Sequence, residues 1–246
     1  MKKIAWSFLL AGFAAAAAMA YPLDGFERTG IRRLALLDLR VQGKLSGPVP
    51  VSGGQRPLAE ISLNLLDGPG ATLTALPAKD AELQAKLETL FPNRDQSYAM
   101  ALLDITPGRP LRYVAQQESR SFAPGSVGKL AIAAGLFAEL ARIFPDDVDK
   151  RRLLLKERMM RGGDWVVADH HPVPIFNLQD QSLISREAVP DDVFSLYEWA
   201  DHMLSASANS AGSVVWKEAM LMRRFGSEYP PSAEDEAAFW KNTAKG

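Results

Sequence analysis

Residues 122–145 read FAPGSVGKLAIAAGLFAELARIFP, and no other stretch constrains the fold as much. Pro124 and Gly125 form an approach, and Ser126 stands where a helix begins. An apolar, Ala-rich run then continues to Phe144, and Pro145 with the acidic residues after it ends the run. The pattern predicts a largely buried helix, and a helix apolar around most of its circumference needs neighbours on several sides.

Several segments can supply that cover. Leu83, Leu87 and Leu90 recur at helical spacing in 78–91, and Pro92 and Asn93 end that helix. Residues 98–105 and 111–116 read as two strands around the turn at Thr106, Pro107, Gly108 and Arg109, a β-hairpin just before the Ser126 helix. Residues 146–160 and 193–204 read as helices. After a break at 205–209, residues 211–224 read as another helix, whereas 162–186 reads as loop. Residues 21–78 are rich in Gly and Pro. Apolar runs at 31–41 and 58–66, separated by a loop at 43–57, predict a small β-rich region. The expected architecture is α+β, with helices packed on an antiparallel sheet.

Composition narrows the function classes. The chain has 246 residues, 47% of them hydrophobic and 23% charged, enough for one or two globular domains. Its formal net charge of -1 lacks the electrostatic footprint of a nucleic-acid binder. The basic residues Arg151, Arg152, Lys156 and Arg161 follow Asp146, Asp147 and Asp149, as on a solvated helix surface. There is no cysteine, which excludes disulfides, thiolate metal sites and thiol chemistry.

The first twenty residues differ from the rest. Lys2 and Lys3, an apolar run over 4–18, and Ala18-Met19-Ala20 match a cleavable export signal. The run is short and Ala-rich for a membrane span. The expectation is a signal peptide at 1–20, a mature chain from Tyr21, no stable membrane span after cleavage, and a periplasmic or secreted protein. An uncleaved N-terminal anchor is the alternative.

Two motifs carry chemistry. Ser126-Val127-Gly128-Lys129 is S-x-x-K, and residues three apart on a helix share a face. The Lys129 amine can therefore reach the Ser126 hydroxyl, and a serine needs such a neighbouring base to act as a nucleophile. Burial and nearby positive charge, including a helix N-terminus, favour a lysine in that role. A backbone N–H at the helix start can stabilise an oxyanion. The alternative is a Ser N-cap with a surface Lys. The second motif is Ser207-Ala208-Asn209, an S-x-N in the break between two helices. Ser207 could pass a proton to a leaving group, and Asn209 could hold a substrate carbonyl and Lys129 together. A Ser/Asn-rich helix junction is the alternative, since both residues favour caps. Ser62-Leu63-Asn64 repeats the letters, but in an expected strand upstream.

In this order the elements resemble the serine β-lactamase and penicillin-binding protein superfamily, whose signature is S-x-x-K, S-D-N and K-T-G. The likeness is greatest to class A β-lactamases and spans roughly residues 78–222. It implies Ser126 as the acylated nucleophile, Lys129 as its base, and Ser207 and Asn209 as the second motif. It also implies a β-lactam or a D-alanyl cell-wall peptide as substrate, and no metal or organic cofactor. Residues 79–246 would form the N-terminal part of that hydrolase domain. Ala208 replaces the central Asp of the second motif. No K-T-G follows Asn209, since Lys245-Gly246 lies too close to Ser207. The family's E-x-x-L-N glutamate is not found downstream of Asn209. These departures predict little or no turnover, in a truncated or shortened relative. The rival readings are a penicillin-recognising binding or sensor module and a structural exported protein. Asp169-His170-His171 reads as a solvent-facing loop rather than a metal site. Trp165, Trp199, Trp216 and Trp240 read as core and rim aromatics.

Overall fold

The computed structural model describes residues 22–49, 56–61, 73–90, 98–106 and 108–243. The expected signal peptide at 1–20, Tyr21, the second S-x-N at 62–64, the helix stop at Pro92 and Asn93, and Lys245-Gly246 lie outside the described residues. No described helix is long and apolar enough to cross a membrane.

The described residues combine helices with small antiparallel sheets, in two compact units: Met1–Glu60 with Gly125–Gly246, and Ile61–Pro124. The smaller unit contains α1, Ala81–Leu90, and a hairpin of β1, Met100–Asp104, with β2, Arg112–Gln116. Asp80 accepts from the Leu83 N–H at 2.8 Å and so starts α1. Leu87 on α1 and Tyr113, Val114 and Ala115 on β2 are buried. The hairpin register runs from Met100 opposite Gln116 to Asp104 opposite Arg112, and an ion pair of 2.6 Å closes its turn end.

The larger unit begins with α2, Gly25–Thr29, and α3, Arg32–Val41. Here the expected β-rich region at 21–78 is corrected: among the described residues of that span there are helices and a 3-10 turn, Leu58–Glu60, but no strand. The cause is long-range. The Arg32 guanidinium pairs with Glu198 at 2.7 Å, and Arg33 pairs with Asp201 at 2.5 Å. Consecutive arginines engage acids three residues apart on one helix, while Ile31, Leu34 and Ala35 are buried. An apolar run with two leading arginines therefore docks as a helix. The same pairs join α3 to residues 196–205 within the larger unit.

After a 3-10 turn at Gly125–Gly128 come α4, Lys129–Ile143, and α5, Val148–Glu157. Next are β3, Met159–Arg161, β4, Val173–Phe176, β5, Leu183–Arg186, and β6, Val193–Ser195. The chain then forms α6, Leu196–Ser205, α7, Asn209–Phe225, and α8, Ala233–Lys241. The strands make two further ladders, β3 with β6 and β4 with β5; the second lies within 162–186, which the sequence predicts to be loop, and the first takes the ends of the helices predicted at 146–160 and 193–204. Ser195 ends β6 and starts α6 with a capping box: its hydroxyl accepts the Glu198 N–H, and Glu198 accepts the Ser195 N–H, both at 3.1 Å.

The core lies where α4, α6 and α7 meet, around Leu136, Leu140, Leu196, Trp199, Met203, Val214, Val215 and Met222. Helix α4 is not the largely buried helix that its composition predicts. Lys129, Ala133, Leu136 and Leu140 face the core, whereas Leu130 is 62% and Phe137 49% exposed. Its apolar residues cover more of the circumference than α6 and α7 occupy.

Candidate active site

The loop before α4 turns at Gly125, whose φ of 51° is a left-handed conformation that glycine adopts without strain. The following residues form a 3-10 turn rather than the first turn of the α-helix. In a 3-10 turn, side chains three apart eclipse one another. Ser126 and the first helical residue, Lys129, are thereby stacked, with the Lys129 Nζ 3.0 Å from the Ser126 Oγ. The serine is exposed and the lysine buried, so the hydroxyl faces outward with its amine partner beneath it.

The second motif arrives from the break between α6 and α7. Ser207 has φ 59°, a left-handed conformation that disfavours a side chain, and helix ends of this kind usually carry Gly or Asn. The Ala208 N–H donates to the His202 carbonyl at 3.1 Å and holds the turn. The result brings both polar residues of the motif to Lys129. Its Nζ lies 3.4 Å from the Ser207 Oγ and 2.7 Å from the Asn209 Oδ1. All four residues selected from sequence, Ser126, Lys129, Ser207 and Asn209, thus meet at one amine. Gly212 of α7 lies beside the Lys129 stem: a β-carbon there would sit 3.7 Å from the Lys129 Cε, an ordinary contact.

Beside this cluster lies an open cleft of about 630 Å³. Gly125, Gly128, Lys129 and Asn209 form its reactive side, while Ile132, Trp165, Val167 and Trp216 give it an apolar wall, with Asp164 and Ser213 also lining it. Trp240 of α8 packs behind the wall, its ring 4.6 Å from Trp165 and 6.1 Å from Trp216. Trp165, Trp216 and Trp240 are thus rim aromatics, and Trp199 is fully buried in the core.

Asp169 is the site residue for which no spacing rule accounts. Its carboxylate accepts from the backbone N–H of Asn209, from the Asn209 Nδ2 at 3.2 Å, and from the Ser210 N–H at 3.2 Å. Burial works against its ionisation. The hydrogen bonds from His171 and from the N–H groups of Ser210, Asn209 and His170 outweigh that and hold its pKa down to about 2. The Asp169-His170-His171 stretch is therefore only partly a solvent-facing loop: Asp169 is buried while His170 is exposed. No cluster of His, Cys, Asp or Glu able to hold a metal occurs among the described residues.

Chemically the arrangement offers a hydroxyl, an amine within reach of its proton, a second hydroxyl that can take the proton onward, and an amide at the mouth of a cleft. Comparison of the chain with models of known families, with curated proteins and with solved structures found no match.

Proposed function

We propose that the protein performs acyl transfer through a serine ester on Ser126, as do the serine β-lactamases and penicillin-binding proteins that residues 79–246 resemble. One observation carries this reading: the Lys129 Nζ is hydrogen-bonded at once to Ser126, Ser207 and Asn209. Two motifs that are each common by chance meet at one buried amine.

The Ser126 Oγ attacks the carbonyl carbon of a strained or terminal amide, and its proton passes to the Lys129 Nζ. As the C–N bond breaks, the departing nitrogen takes a proton by way of the Ser207 hydroxyl, and the acyl group remains as an ester on Ser126. Asn209 holds Lys129 and offers its amide to the substrate. Ile132, Trp165, Val167 and Trp216 receive the apolar part of the acyl group. The substrate proposed is a β-lactam or a D-alanyl cell-wall peptide. The fold proposed is that of the same superfamily, and the location periplasmic or secreted, in keeping with the export signal expected at residues 1–20.

A second reading, acylation without turnover in a binding or sensor module, is favoured by one feature. Among the described residues no carboxylate is hydrogen-bonded to Ser126, in keeping with an ester that persists once formed. Incubation with a fluorescent penicillin and with a chromogenic β-lactam separates the readings. Labelling lost in Ser126→Ala supports acylation, and multiple turnover of the chromogenic compound removes the sensor reading. A folded sample that does neither contradicts both.

A further inference from the structure

An asparagine amide has an accepting end and a donating end, and reversing it exchanges them. At Asn209 both ends are engaged. Its Oδ1 accepts from the Lys129 Nζ at 2.7 Å, and its Nδ2 donates to the Asp169 Oδ1 at 3.2 Å. An ionised carboxylate can only accept, so an amide beside it must present nitrogen on that side and oxygen on the other.

Asp169 is suited to fix that choice. Its side chain is 3% exposed, and both of its oxygens are occupied. One accepts the backbone N–H groups of Asn209 and Ser210 at the start of α7, with the Ser210 hydroxyl at 3.5 Å. The other accepts the His170 N–H at 2.9 Å and the His171 ring at 2.6 Å, along with the Asn209 amide. The His171 ring must donate through Nδ1, because the carboxylate offers it no proton. The bond of Asp169 to the α7 backbone fixes where Asn209 begins, and its bond to the amide fixes which way that amide faces. Asp169 itself is anchored just before β4, whose Val173 and Phe176 are buried in the core.

We propose that Asp169 is a positioning residue for acyl transfer: it holds the Asn209 amide with its oxygen toward Lys129, and so holds the Lys129 amine between Ser126 and Ser207. The proposal rests on the acyl-transfer reading of the site. A carboxylate supplied from forty residues upstream thus orients the motif in a chain whose motif centre is Ala208.

The test has two arms. The first is a double-variant cycle on the rate of labelling by a fluorescent penicillin, with folding of each variant checked by circular dichroism. Asp169→Ala is expected to slow labelling about 10- to 100-fold, as a misplaced catalytic group does. Asn209→Ala is expected to slow it comparably, and the double variant no more than the slower single variant within roughly twofold. Effects that multiply would show that Asp169 acts independently of Asn209 and overturn the proposal. The second arm uses the unsubstituted protein and needs no chemistry. The side-chain amide proton of Asn209 that faces Asp169 should exchange with water at least about tenfold more slowly than those of Asn177, as befits a bond to a buried charge. Equal rates overturn the proposal even if Asp169→Ala fails to fold. A protected Asn209 amide in a protein that never labels would leave the positioning intact and remove the acyl-transfer reading. Labelling with an unprotected amide would do the reverse.

Discussion

Two lysines of this protein are buried to nearly the same degree, Lys129 at 8% and Lys217 at 7% exposure, in opposite company. Lys217 on α7 lies 3.0 Å from Glu218 and 3.1 Å from Glu236. Glu218 is wholly buried and also accepts from the Tyr229 hydroxyl, with Arg158 at 3.6 Å. Burial and the Glu218 charge push the Tyr229 phenol above its ordinary value, so it stays a donor. Lys129, by contrast, meets two hydroxyls and an amide oxygen. Burying a charge beside carboxylates makes a structural ion pair, whereas burying an amine among neutral acceptors leaves its nitrogen within reach of a hydroxyl proton. The difference teaches where to look for chemistry: burial is shared, and the partners decide.

The comparison can be broken most directly at the lysines. Lys129→Ala is expected to cut labelling by a β-lactam about 100- to 10,000-fold. Its stability cost is that of a few hydrogen bonds to uncharged partners, about 1–2 kcal/mol in urea denaturation. Lys217→Ala should do the opposite, with labelling of the folded protein retained. Leaving Glu218 buried with less counter-charge should cost about 3–5 kcal/mol. Equal stability losses in the two variants would dissolve the contrast.

Acid sharpens it. Burial lowers the His202 pKa from 6.5 to about 4, against the pull of Asp201 and Glu198. The unfolded chain therefore takes up this proton at a higher pH than the folded one. Stability present above pH 6.5 is lost as pH falls through 4, by about 3 kcal/mol in all. Denaturation midpoints at pH 7.5 and 4.5 should diverge, and His202→Leu should flatten that slope if it folds. Asp169, with its value lowered to about 2, keeps its charge across this window. Its contribution is present above 3.8 and is lost only as pH falls through 2. The surroundings of Lys129 should thus outlast the loss at His202, which the exchange of the Asn209 side-chain amide relative to that of Asn177, at pH 7.5 and 4.5, can check.

The smallest effect is expected at Ser207. Replacing it by glycine relieves a side chain held at positive φ, a gain of about 1 kcal/mol, while removing the hydroxyl proposed to serve the leaving group. A Ser207→Gly protein that is both stabler and slower to label would show that the strain serves the site. Lower stability would show that the conformation costs nothing.

The site was more legible in the sequence than the frame around it. Spacing three along a helix put Lys129 by Ser126, and a helix break put Ser207 and Asn209 at a junction, because local geometry alone decides those placements. Arg32 and Arg33 were misread within a strand because what makes them helical is a pair of acids more than 160 residues away. The ladder of Val173–Phe176 with Leu183–Arg186 was missed because prolines and polar residues hide a short alternation. The exposed face of α4 was unreadable from its composition, which records apolarity but not how many neighbours arrive. Asp169 carried a faint signal, a short polar stretch between apolar segments, but nothing in its spacing tied it to Asn209.

The central claim is that Lys129 exists to activate Ser126, and one measurement reaches it. The protein is incubated with a β-lactam and digested, and the acyl adduct is located by mass spectrometry, in parallel with Ser126→Ala and Lys129→Ala. The account predicts one adduct on the peptide containing Ser126, absent from Ser126→Ala and nearly absent from Lys129→Ala at equal times. An adduct that persists in Ser126→Ala, or a folded protein that carries none, would contradict it.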